Sequence, residues 1–127
     1  MKVEQLKALI SYRIQQSKET LHEAEILYNE KSFRGTINRA YYAMFYSVLT
    51  LLSTRGLGTS KHSGAIALFD KEFVKQGIFS KEFSKTLRLA FERRQIHDYG
   101  ELMEINLIRS NNLLSPAALP LHLGNNL

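Results

Sequence analysis

Apolar residues recur at three- and four-residue steps through nearly the whole chain, the period of an α-helix with one buried face. Leu6, Leu9, Ile10, Ile14, Leu21, Ala24, Leu27 and Tyr28 make the first stripe, with Glu, Gln, Lys and Ser between them, and predict a helix over residues 3–29. Asn29-Glu30-Lys31 then reads as a short connection, and Ser32 as the N-cap of the next helix. That second helix, over residues 33–54, carries a broad stripe of Phe33, Ile37, Ala40, Tyr41, Met44, Phe45, Val48, Leu51 and Leu52. A second stripe holds Gly35, Arg39, Tyr42, Tyr46 and Leu49. A helix that is apolar or aromatic on two sides belongs in the centre of a bundle or at a subunit interface.

Two glycines within Arg55-Gly56-Leu57-Gly58-Thr59-Ser60 mark a helix end and a loop. A third helix is expected over 61–75, with Ala65, Ile66, Phe69, Phe73 and Val74 inside and Gly77 closing it. Ser80 caps a fourth over 81–96, whose core stripe is Phe83, Leu87, Ala90 and Phe91. After His97-Asp98-Tyr99-Gly100 a fifth segment starts near Glu101, and beyond Ser115 two prolines stop any helix. There is no alternation of strand type. The expected fold is all-α, an up-and-down bundle of four to five helices over residues 1–114, with an irregular tail over 115–127.

Composition narrows this picture. The 127 residues fit one domain, and 44% hydrophobic residues can fill its core. With no cysteine, disulfides, thiolate metal sites and thiol nucleophiles are excluded. The polar, amphipathic N-terminus is unlike a signal peptide, and no run suits a bilayer, so a cytoplasmic protein away from membranes is expected. The net charge of +5 favours polyanionic partners such as nucleotides or RNA, though only modestly. No histidine or carboxylate pair has metal spacing and no glycine-rich phosphate loop is present, so neither metal nor cofactor is expected.

The candidate chemistry is cationic. Arg39 sits mid-helix in Asn38-Arg39-Ala40-Tyr41-Tyr42-Ala43-Met44-Phe45-Tyr46, where a guanidinium beside tyrosine rings can grip phosphate. The plainer alternative is an ion pair that locks two helices. In Glu92-Arg93-Arg94-Gln95-Ile96-His97, Arg94 continues the apolar stripe, while Arg93 and His97 are four apart and share a helical face. A cation with a group that titrates near neutrality suits metal-free RNA cleavage. Cations complementing a helix C-terminus would have the same sequence. Lys81, Lys85 and Arg88 make either a phosphate-tracking row or an ordinary solvated face. His62 stands either at a helix start whose backbone N–H groups could meet an anion or in a loop, and the loop is the preferred reading.

Taken together, Asn38-Arg39-Ala40-Tyr41-Tyr42-Ala43-Met44-Phe45, His62-Ser63-Gly64, Arg94-Gln95 and Asp98-Tyr99-Gly100 resemble the HEPN domain family, in particular its small stand-alone prokaryotic members. The resemblance implies a helical bundle that forms a homodimer. It also implies a metal-independent ribonuclease, which in several members acts as a toxin neutralised by a small nucleotidyltransferase encoded beside it. The family motif is Arg, four to six residues, His, then any residue and Tyr. His97-Asp98-Tyr99 matches its end, but position 92 is Glu92, and only three residues separate Arg93 from His97. By resemblance Tyr99 is the acceptor for adenylylation by the partner. Arg39, Tyr42, Asp98, Lys85 and Arg88 are expected to bind nucleotide or RNA, and Arg93, Arg94 and His97 to be catalytic if the chain cleaves RNA. Because the motif is altered, the preferred reading is a nucleotide- or RNA-associated regulatory module in a toxin–antitoxin-type pair. The alternatives are an active ribonuclease toxin and a purely structural helical dimer.

Overall fold

The first amphipathic stripe forms α1, Val3–Asn29, in the computed structural model of the protein, which describes residues 2–93. The second forms α2, Phe33–Thr54. The three-residue connection forces the two helices to pack side by side, and two contacts set their register. A Cβ at Gly35 would stand 3.0 Å from Cδ1 of Leu27, and one turn further on Arg39 lies beside Glu23. Each pair moves four residues back along α1 and four forward along α2, so the helices are antiparallel. Extending that register brings Ala8 level with Thr54. The first residues of α1 therefore overhang the end of α2, and Val3 is 67% exposed.

Sequence periodicity places Leu6, Leu9, Ile10 and Ile14 in the core, yet all four are only partly covered. The buried residues of α1 are instead small: Ser17, Thr20 and Ala24. They meet a helix whose own Thr36, Ala40, Ala43, Ser47 and Thr50 recur at alternating steps of four and three and are all buried. Small side chains let two helices approach closely. The hydroxyls among them need partners in this dry seam, and each finds one a turn back in its own helix. Ser17 donates to the carbonyl of Arg13, Thr20 to Gln16, Thr36 to Ser32, Ser47 to Ala43 and Thr50 to Tyr46, at 2.7–2.9 Å.

The large apolar stripe of α2 is buried as its pattern predicts, from Ile37 through Tyr41, Met44 and Val48 to Leu52. α2 packs on α1, α3 and α4, the central position that its two-sided pattern requires. Three helix ends are closed in the same way, by a residue of positive φ between paired backbone bonds. At Gly56 (φ 68°) the next N–H, from Leu57, reaches the carbonyl of Leu52 at 2.9 Å. At Gly77 (φ 78°) that of Ile78 reaches Phe73 at 2.9 Å. Between α1 and α2 the same place falls on Lys31 (φ 62°), with Ser32 N–H to the carbonyl of Leu27 at 2.8 Å. Ser32 stands at the N-cap position without a side-chain cap bond.

α3 runs His62–Phe69 and continues directly into a π-helical turn, Asp70–Val74. α4 is described over Lys81–Arg93, and Ser80 caps it through a bond from the Phe83 N–H to its Oγ at 3.2 Å. Phe69, Phe73, Phe79 and Phe83 form one aromatic cluster between these segments, with ring centroids 5.4–6.1 Å apart. Asp70 ties the turn to α4 by accepting from Ser84 Oγ at 2.5 Å and from the Arg88 guanidinium. The described part is an all-α bundle, as expected. The fifth segment from Glu101, the boundary after residue 114 and the tail over 115–127 lie outside the described residues.

Candidate functional site

Arg39 projects from the middle of α2, where Asn38 shapes it first. The Asn38 Oδ1 accepts from both Nε and Nη2 of Arg39, at 3.0 and 2.7 Å. A neutral amide therefore orients the guanidinium without cancelling its charge, which accounts chemically for the Asn-Arg pair. Glu23 stands 3.8 Å from Nη1, but it is 56% exposed and Arg39 33%. A loose pair this open to water contributes well under about 1 kcal/mol and is readily exchanged for another anion. The guanidinium carbon also lies 5.3 Å from the centre of the Tyr42 ring, within cation–π range. Arg39 thus meets an acid, as the plain reading expects, but only weakly, and it lies beside a tyrosine ring.

From Tyr42 the contacts continue to His62, edge to face, with centroids 5.8 Å apart. His62 is the first residue of α3, not a loop residue as the sequence suggests. Its ring stacks on Phe45 at 4.0 Å with 12° between planes, and its Nδ1 is hydrogen-bonded to the hydroxyl of fully buried Tyr41 at 2.8 Å. Phe91 of α4 closes the far side, 6.2 Å from His62 and 5.6 Å from Tyr41. Arg39, Tyr42, His62 and Phe91 thus link the middle of α2, the start of α3 and the end of α4 in one continuous run. The pattern of α2 pointed to Tyr41 and Tyr42. Nothing local could reveal that a histidine 21 residues after Tyr41 stacks on it and meets Tyr42 edge to face.

The other candidate cations divide. Arg93, half-buried, ends the described part of α4, two residues beyond Phe91. Lys81 and Lys85 are exposed on the outer face, as their spacing predicts. Arg88 departs from that row: although 52% exposed, its guanidinium is held by Asp70, so it serves the packing of α4 on the π-turn. Arg94, His97, Asp98 and Tyr99 lie outside the described residues. Among the described residues no group of three or more histidine and acidic side chains is placed to hold a metal ion, and no helix is long and apolar enough to cross a membrane.

Comparison with known proteins matches the HEPN domain profile to residues 10–112. A UPF0332 protein of Thermotoga maritima is 44% identical over 96 residues, which are 76% of this chain and 73% of the relative. Two Methanocaldococcus jannaschii proteins named as candidate toxins are also similar. One is 35% identical over 101 residues (80% of this chain, 69% of the relative). The other is 34% identical over 96 residues (76% and 69%).

Proposed function

Since the chain belongs to the HEPN domain family, we propose that it is a HEPN-type regulatory module that engages nucleotide or RNA, and that it works as a homodimer paired with a small nucleotidyltransferase in a toxin–antitoxin-type system. The observation that carries this reading is the run Arg39–Tyr42–His62–Phe91. It joins an oriented, weakly compensated guanidinium to aromatic faces and a histidine. Such a surface suits a phosphate with an attached base, because the cation takes the charge and the rings take the base. The names of the two M. jannaschii relatives support the toxin side of the pairing. Asp98 and Tyr99 belong to this reading by the motif, Tyr99 as the acceptor that the partner would adenylylate.

The second reading is a metal-independent ribonuclease using Arg93 or Arg94 with His97, which the resemblance of His97-Asp98-Tyr99 to the family motif supports. Expression in a bacterium separates the two. A cleaving toxin arrests growth, and His97→Ala relieves the arrest while the protein still folds. The regulatory reading instead expects the purified protein to bind nucleotide or single-stranded RNA without degrading it, and to co-purify with its nucleotidyltransferase when the neighbouring frame is co-expressed. Absence of binding to either ligand at physiological salt refutes it.

A further inference from the structure

The flank of the α1–α2 pair that carries Arg39 continues away from it with further rings and a further cation. Tyr46 follows Tyr42 one turn on, with centroids 5.7 Å apart and both rings half-covered. The register fixed by Leu27 with Gly35 and Glu23 with Arg39 places Arg13 level with Leu49, the next turn, and Tyr12 beside it. Arg13 lies on the stripe of α1 that faces α2, one turn before Ser17. Its Nε is buried and has no hydrogen-bond partner among the described residues. Tyr12 is 65% exposed, which is unusual for a large ring on a helix that has a polar face available. The one carboxylate nearby on α1 besides Glu23, that of Glu19, accepts from Gln15 at 3.0 Å along its own helix.

We infer that this flank of the α1–α2 pair is a subsite for single-stranded RNA, in which unpaired bases stack on Tyr42, Tyr46 and Tyr12 while Arg39 and Arg13 meet phosphates at its two ends. The inference rests on the proposed RNA-associated function and names the form of RNA recognised. Ten residues of α2 separate the levels of Arg39 and Arg13, about 15 Å at the helical rise, so a short segment of strand spans them. Rings interleaved with guanidinium groups favour a strand whose bases are splayed. A duplex keeps its bases stacked inside and offers the rings nothing.

The test is fluorescence anisotropy with a labelled oligouridylate, with inorganic polyphosphate and duplex RNA as competitors, on the full chain. Tyr46→Leu is expected to weaken oligouridylate binding about tenfold, with Tyr46→Phe close to the parent. Tyr12→Leu, at an exposed position that folding does not need, is expected to weaken it several-fold. Arg13→Gln is expected to flatten the slope of log affinity against log salt by about 0.7, the loss of one phosphate contact on a single strand. Parent affinity in both leucine variants, or equal competition by polyphosphate and oligouridylate, overturns the subsite while leaving the functional proposal standing. No binding of oligouridylate by the parent protein overturns the subsite, and absence of nucleotide binding as well overturns both.

Discussion

Removing the hydroxyl of Tyr41 and the imidazole of His62, singly and together, measures whether α2 and α3 are joined as the site requires. Tyr41 is fully buried, and its ring contacts Tyr42, Phe45 and Phe91 besides His62. Tyr41→Phe keeps those ring contacts and deletes one 2.8 Å bond to Nδ1. A net intramolecular hydrogen bond contributes about 1 kcal/mol, so that is the expected loss. His62→Phe retains a ring against Phe45 and is expected to lose a similar amount. Because both changes remove the same bond, the double variant should be less destabilised than the sum of the singles by about 1 kcal/mol. For a chain of this size that difference is a few degrees in Tm, and urea unfolding resolves it directly. Tyr41→Ala is the scale marker, at about 3–5 kcal/mol for the lost ring. Coupling within about 0.3 kcal/mol of zero, the limit of ordinary additivity, would refute the bond and with it the placement of His62.

Three further outcomes concern the scaffold. Lys31→Gly should raise stability by roughly 0.5–1 kcal/mol in thermal or urea unfolding, because a lysine side chain at φ 62° crowds a conformation that glycine adopts freely. Asp70→Ala should lose about 1.5–3 kcal/mol by stranding the buried Ser84 hydroxyl along with Arg88, whereas Arg88→Ala, removing only the exposed partner, should lose under about 1 kcal/mol; equal losses in urea unfolding would contradict the geometry. Ser17→Leu should cost about 1–3 kcal/mol by wedging the α1–α2 seam apart, and an unchanged melting curve would show that the seam is not closely packed.

Much of this fold could be read from local patterns, since helix limits depend on short-range signals. The span of α1 and α2, the glycine endings at Gly56 and Gly77 and the cap at Ser80 all follow from residues within a turn of one another. What was not legible depends on distant partners. A hydrophobicity pattern favours Leu6 and Ile10 over Ser17 and Thr20, because it cannot register that small residues allow close approach or that a hydroxyl is satisfied within its own helix. The row Lys81, Lys85, Arg88 looks uniform until Asp70, 18 residues earlier, claims its last member. The candidate site divides along the same line. Arg39 and Tyr42 stood out by composition within one helix. His62 gained meaning only when the chain folded it onto Tyr41 and Phe45, and Arg13 only when the α1–α2 register became known.

The claim beneath all of this is that α2, α3 and α4 gather a cation, aromatic rings and a histidine into one face that accepts a polyanion. An NMR titration of the isotopically labelled protein with a short single-stranded RNA at near-physiological salt tests it most directly. Amide shifts concentrated at Arg39, Tyr42, His62, Phe91 and Arg93 would uphold it. Shifts confined to the outer row of Lys81 and Lys85, or none anywhere, would contradict it.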